Sequence, residues 1–432
     1  MPAALIRNTL AVCALALAPG ALAQSALTLA EAQRLALERS RSLVAIDSGV
    51  AAARDMAVAA RRLPDPVLSL SLENLPIENV PGQPGLHPGD LVGGVDRFST
   101  TDESMTMRRI GLMQELTARD KLSLRGERFE LEAHRQLAEG DAARASIRRE
   151  TAMAWMEAWH AEAMAQAIAE QRVRGLQEVQ GAEAEYRAGR GNQADLLMAR
   201  GNLAMLDDRA AELERKARSA RVRLARWAGP PGEAPLGARP DITRMGFDHH
   251  GLDERLAAHP EIAVLARQQE VLAAEARLAR ANKTPDWTVE VAYSKRGSAY
   301  GDMVSLGVRV PLPWDQANRQ DREVSARLAE VRKAEAQREE ALRQHVAEVR
   351  TMLQEWESNR SRVTRYEREI VPLAAARAEA ALAAFRGGKS SITEVLGARR
   401  GELEARLQAL QLEGETARLW AQLTFLTVEE GQ

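Results

Sequence analysis

Cysteine is all but missing. The 432 residues hold one, Cys13, inside an N-terminal leader. The leader reads as a secretory signal over 1–23: Arg7 is the positive region, Leu10 to Ala18 the apolar run, and Ala21-Leu22-Ala23 the cleavage site before Gln24. The mature chain then has no thiol, which excludes disulfides and cysteine-based metal sites. Val12 stands where lipid attachment to Cys13 needs a small residue. The leader's apolar run is also too short to span a bilayer. A charge surplus is missing too. Lys+Arg 59 against Asp+Glu 61 gives −2, or −3 once Arg7 leaves, so there is no basic footprint for nucleic acid. Aromatics are only 4% of the chain. Ala, Leu, Glu, Arg and Gln dominate, the composition of long helices packed in coiled-coil fashion. Catalytic patterns are absent as well: no nucleophile elbow, no phosphate-binding Walker loop, no His-Glu-x-x-His, no supported carboxylate pair. Gly189-x-Gly191 lacks a third glycine and a preceding strand. The chain is read as a non-enzyme without a cofactor or metal centre.

What is present is a repeat. Tyr186-Arg187-Ala188-Gly189-Arg190-Gly191-Asn192-Gln193-Ala194-Asp195-Leu196-Leu197 returns 199 residues later as Phe385-Arg386-Gly387-Gly388-Lys389-Ser390-Ser391-Ile392-Thr393-Glu394-Val395-Leu396. Leu63-Pro64-Asp65-Pro66 echoes in Thr284-Pro285-Asp286-Trp287, and Ile110-Gly111-Leu112 in Leu306-Gly307-Val308. Two copies of a long unit predict a two-repeat architecture: repeat 1 over 24–228, a linker over 229–251 beginning Gly229-Pro230-Pro231-Gly232, and repeat 2 over 252–432.

Within each repeat the periodicity changes. Thr28 caps a helix expected from about Leu29 to Arg62 and stopped by Pro64; its counterpart is expected from about Leu252 to Asn282. Four runs then alternate with period 2: Val67 to Glu73, Met105 to Gln114, Val289 to Tyr293 and Val304 to Val310. They read as two hairpins. The first carries a Pro- and Gly-rich insert, Asn74 to Asp102; the second only Lys295 to Asp302. Runs of roughly 8–11 residues suit tilted membrane strands. Trp287 and Trp314 at the outer ends, with Tyr293 and Tyr300 nearer the hairpin tip, fit interfacial girdles. The same pattern would suit the half-buried sheets of a soluble domain; if the strands span a membrane, four cannot close a barrel and lipid does not tolerate open edges, so several copies must pool them.

The remaining mass is helical. Proline-free stretches run from Ala118 to Arg187 and from Gln316 to Val371, with Pro372 interrupting a run that continues to Arg386. Each is about 70 residues, or about 105 Å. Return helices are expected over Ala194 to Trp227 and Thr393 to Leu426. Leu342, Val346, Val349, Leu353 and Trp356 fall at coiled-coil spacing, as do Leu196, Leu203, Leu206 and Leu213. Paired back at Gly189 and Gly388, such helices make long hairpins.

This arrangement resembles the TolC-type outer-membrane efflux duct family over nearly all of the mature chain. The doubled Tyr/Phe-x-x-Gly-x-x-x-x-x-Asp/Glu-hydrophobic-hydrophobic motif carries the resemblance. Met105 to Glu115, with Ser71-Leu72-Glu73-Asn74-Leu75-Pro76, is similar to the heavy-metal efflux (CzcC/CusC-like) branch. The resemblance implies a mainly α chain with a transmembrane β part. As a homotrimer it would form a 12-stranded barrel in outer-membrane lipid on an α-helical periplasmic tunnel. It implies a passive exit duct serving a periplasmic adaptor (membrane fusion protein) and an inner-membrane pump of the resistance-nodulation-division type, with heavy-metal cations as first-choice cargo. Drugs or a secreted polypeptide stand behind. A periplasmic adaptor is the rival class, but an adaptor has one hairpin and this chain has two.

By the same match, Gly189, Arg190, Gly191 and Gly387, Gly388, Lys389 are adaptor-docking turns, although ordinary helix C-capping also explains such glycines. Asp195 and Glu394 are the gate carboxylates, in positions where an acid equally favours a helix N-terminus. Gly397 stands where some relatives carry a second acid. Met105, Met107 and Met113 offer thioethers to soft cations, but packing is the simpler reading. His87 and the pair His249-His250 fall in no ligand spacing.

Overall fold

The computed structural model describes residues 26–79, 81, 94, 96–101, 105–245, 256–296 and 300–426. The predicted leader with Cys13, as well as His87, His249 and His250, lies outside them. The described chain is mostly helical with a single four-stranded sheet. It divides into two compact units, and each draws on both repeats. One comprises residues 1–39, 151–242 and 363–415; the other 40–150, 243–362 and 416–432.

The first unit is helical. It contains α1 (Leu29–Arg39), most of α3 (Arg119–Arg187), α4 (Gln193–Ala228), α7 (Val371–Arg386) and much of α8 (Ile392–Thr424). Its core is the predicted leucine seam. Leu206, Ala210 and Leu213 of α4 pack with Ala167 and Ile168 of α3 and Leu403 and Leu407 of α8. Trp155 is fully buried, and its indole N–H donates to the Leu27 carbonyl at 3.0 Å, so the apolar ring gains burial without orphaning its donor. Leu27 also forms a parallel bridge with Leu236 beyond the Gly229-Pro230-Pro231-Gly232 stretch, whose Pro230–Glu233 forms a 3-10 turn.

The second unit holds the sheet with α2 (Arg41–Ala60), the first part of α3, α5 (Pro260–Ala281), most of α6 (Gln320–Arg365) and the end of α8. Strands β1 (Val67–Glu73), β2 (Met107–Leu116), β3 (Trp287–Lys295) and β4 (Met303–Arg309) pair antiparallel in sequence order. The two predicted hairpins are therefore one sheet, joined by β2 against β3. Lys121, nearly fully buried, anchors the sheet's base: its ammonium donates to the Thr284 carbonyl and to Asp286 Oδ1 at 2.9 Å. The repeated Thr284-Pro285-Asp286-Trp287 segment thus ties the strand entry to the start of α3.

Three expectations need correction. The single helix expected over 29–62 is two helices, broken at Ser40, whose hydroxyl accepts the Leu43 N–H at 3.3 Å and starts α2 anew. The partner segment expected from Leu252 is not one continuous helix: among the described residues Leu256 and Ala257 are helical, a turn follows, and α5 starts anew at Pro260. There proline suits the first helical position and His259 Nδ1 accepts the Glu261 N–H at 3.3 Å. The second strand runs over Met107–Leu116, not Met105 to Gln114. Asn74 takes a left-handed turn (φ 57°) after β1, and Thr106 donates its hydroxyl to the Asn74 carbonyl at 2.9 Å, closing the ladder before Met105. Pro372 does not end its helix. A π turn, Tyr366–Ile370, absorbs the missing N–H donor, and helical geometry continues to Arg386.

Candidate channel elements

The sheet is two-faced. Its registers align rows across all four strands: Leu68, Leu112, Val291, Leu306, and beside it Leu70, Ile110, Tyr293, Val304. All eight are exposed, Leu306 by 80% and Leu70 by 73%. Trp287 and Trp314 are exposed as well. A continuous apolar face of this kind needs an apolar environment. Among the described residues the outer edges of β1 and β4 are unpaired.

The opposite face is polar and closely packed. Arg109 donates to Glu73 at 3.1 Å and to Glu290 at 2.7 Å, and Arg309 donates to the other Glu290 oxygen at 2.9 Å. Gly111, one of the repeated glycines, makes room: a Cβ there would meet Ser69 Oγ at 2.6 Å and Glu290 Oε1 at 3.3 Å. Met113 sits on this face within reach of Arg309 and Met107 pairs with Glu73, while Met105 lies outside the strand. The sequence reading passed over Glu290 and its two arginines. Their signal was charge at the alternate positions of three strands.

The glycine turns of the two repeats are built alike. α3 ends at Arg187, and Gly189 follows in the left-handed region (φ 72°); α7 ends at Arg386, and Gly388 follows at φ 68°. L side chains disfavour this region, which explains glycine there. Gly387 and Gly191 carry no such demand. Gly189 N–H donates to the Tyr186 carbonyl (3.1 Å) and Arg190 N–H to Glu185 (3.0 Å); Gly388 donates to Phe385 (2.9 Å) and Lys389 to Ala384 (2.8 Å). The turns sit over one small core, in which Ala182, Leu196 and Ala199 pack with Ile392, Val395 and Leu396. Folding therefore brings the two predicted motifs together.

Asp195 and Glu394 occupy equivalent first-turn positions of α4 and α8. Among the described residues the Asp195 side chain accepts no hydrogen bond; its N–H donates to the capping Asn192 Oδ1 at 2.8 Å. Glu394 N–H donates to the Ser391 carbonyl at 3.2 Å. Both acids lie in a first turn, where a negative charge favours the positive end of the helix, and neither forms an ion pair among the described residues.

A ladder of alternating charge, unseen in the sequence reading, ties α3 to α8 behind the turns. Glu170 pairs with Arg406 at 2.7 Å, Arg174 with Glu402 at 3.0 Å, and Glu178 lies 3.8 Å from Arg399. Arg399 is 7% exposed and also binds Glu379 of α7 and Glu402, both at 2.9 Å. Burial pushes the Glu178 carboxyl above its ordinary range, against the pull of Arg399. The signal available in sequence was Glu, Arg, Glu at i, i+4, i+8 on one helix facing Arg, Glu, Arg on another.

Residues 251–427 match the family model described as outer membrane efflux protein. This efflux-protein segment contains the second strand pair and the second glycine turn. No curated protein sequence matches the chain. The fold is that of outer-membrane channels. CusC, whose structures concern transmembrane channel formation, superposes with TM-score 0.73 over 93% of this chain and 92% of that one at 17% identity. The outer membrane protein VceC of Vibrio cholerae gives 0.71 over 93% and 97% at 18%. The outer membrane channel CmeC of Campylobacter jejuni gives 0.71 over 93% and 87% at 14%. The fold and the efflux-protein match are those of non-enzymatic channels. No described helix is long and apolar enough to cross a membrane, which says nothing of a β-barrel.

Proposed function

We propose that the chain is the outer-membrane channel subunit of a tripartite efflux system. Three copies pool their strands into a barrel in outer-membrane lipid, and their helices form a periplasmic tunnel. An inner-membrane pump of the resistance-nodulation-division type and a periplasmic adaptor deliver the cargo, and heavy-metal cations are the cargo of first choice. The observation that carries the reading is the sheet: four strands with an exposed apolar face, a charged opposite face and two free edges. In water such a face and such edges invite aggregation; in lipid, pooling copies satisfies both. Asp195 and Glu394 are the gate carboxylates, which as rings in the trimer favour cations over anions. Gly189, Arg190, Gly191, Gly387, Gly388 and Lys389 are the turns that meet the adaptor.

A strain lacking the chain tests this. Sensitivity to copper, silver, zinc, cobalt or cadmium with normal drug tolerance is the expected result. Sensitivity to hydrophobic drugs alone keeps the channel and removes the metal assignment. Recovery of the protein outside the outer-membrane fraction overturns the channel reading.

A further inference from the structure

The two glycine turns share a backbone and differ in charge. Each carries two cations at equivalent positions: Arg187 and Arg190 in the first, Arg386 and Lys389 in the second. In the first turn both are neutralised internally. Arg187 donates to Glu183 at 2.8 Å, and Arg190 grips Glu185 with two bonds of 2.9 Å. The Arg190 guanidinium holds the Glu185 carboxyl below its usual range. In the second repeat the positions of Glu183 and Glu185 are taken by Leu382 and Ala384. Leu382 packs into the small core beneath the turns. The Arg386 and Lys389 side chains are exposed and have no hydrogen bond or ion pair among the described residues. The second turn has both cations and neither carboxylate.

We propose that the second turn, through Arg386 and Lys389, is the docking surface for a carboxylate-bearing turn of the periplasmic partner, while the first turn is electrostatically silent. This rests on the reading that the glycine turns face such a partner. An unpaired exposed cation keeps its field for an external acid, whereas a bidentate pair spends it within the chain. Exposed pairs add little affinity one by one, but they steer encounter and choose between partners by charge. A basic partner turn is repelled here, so the contact discriminates as well as attracts.

The test uses purified full-length protein in detergent and two helical-hairpin peptides that differ only in the turn, Glu-rich in one and Lys-rich in the other. The Glu-rich peptide is expected to bind and its twin not. R386Q/K389Q is expected to weaken that binding about tenfold, and salt near 0.5 M to abolish most of the difference. E183L/E185A gives the first turn the second's side chains and is expected to strengthen binding. Equal binding of the two peptides, wild-type binding by R386Q/K389Q, or no gain from E183L/E185A overturns the proposal. Complementation separates this from the channel reading. If R386Q/K389Q reaches the outer membrane and exports as wild type does, the docking surface falls and the channel stands. If the wild-type chain never reaches that membrane, the channel reading falls first.

Discussion

Leu306 distinguishes lipid from water at the sheet. It lies in the row Leu68, Leu112, Val291, Leu306, is 80% exposed, and points away from the charged face. In a water-facing sheet, Leu306→Arg exchanges one exposed side chain for another and changes stability by about 0.5 kcal/mol or less. On a lipid-facing strand near the bilayer midplane the same change costs about 2–4 kcal/mol. At about 1.4 kcal/mol per tenfold, that shifts the folding equilibrium roughly 30- to 1,000-fold. The companion is Ser71→Arg, on the opposite face in the row of Arg109, Ser294 and Met303, where Glu73 is a ready partner and the expected change is again about 0.5 kcal/mol or less. The assay is urea-dependent refolding into phospholipid vesicles, read by tryptophan fluorescence and by resistance of the assembled form to detergent at room temperature. Leu306→Arg is expected to move the midpoint strongly and Ser71→Arg hardly at all. Equal responses on the two faces, or a harmless Leu306→Arg, refute the lipid assignment.

Removing the Arg399 head group by Arg399→Met is expected to cost about 3–5 kcal/mol, because Glu178 and Glu402 are left partly buried without their cation; thermal melting checks this, and Glu178→Gln introduced together with Arg399→Met should recover part of the loss. Glu178 itself has a raised folded pKa, so its contribution is present below the unfolded value and lost as pH rises through the folded one; Glu178→Gln should flatten that segment of the stability-against-pH curve. Gly388→Val is expected to cost about 1–2 kcal/mol, since a β-branched residue is forced to φ 68°, whereas Gly387→Val, at φ −82°, should cost clearly less; chemical denaturation of the pair settles it. His160 and His259 are buried, which lowers each to about 4. Their neutral forms stabilise the fold above the unfolded value near 6.5, and that stability is lost as pH falls toward 4. Replacing both with Leu should shift the acid-unfolding midpoint downward, as followed by circular dichroism.

Much of the fold was legible because it is governed by local rules. The Gly189 and Gly388 turns, the proline-free helices and the strand faces each follow from a few neighbouring residues. The leucines at 196, 206 and 213 were buried as their spacing demanded. Errors fell where a single side-chain hydrogen bond, near or far in sequence, outvoted the periodic pattern. Ser40 caps a new helix inside a run that reads as continuous, and Thr106 closes against Asn74, a residue 32 positions away. The candidate turns were found from their repeat, but the repeat also made them look equivalent.

By itself, the amino-acid sequence determined the helices, the four alternating strands, the left-handed glycines and the absence of any cysteine chemistry in the predicted mature chain. These are consequences of backbone sterics, side-chain periodicity and composition, which act over a few residues. Only the tertiary structure decided that β2 joins β3 into one sheet, that Glu290 lies between Arg109 and Arg309, and that α3 and α8 share a charge ladder. It also decided that Arg190 is neutralised while Lys389 is not. Such pairings join groups brought together by folding, Arg109 to Glu290 across 181 residues. Their energy depends on distance and burial, which periodicity does not encode.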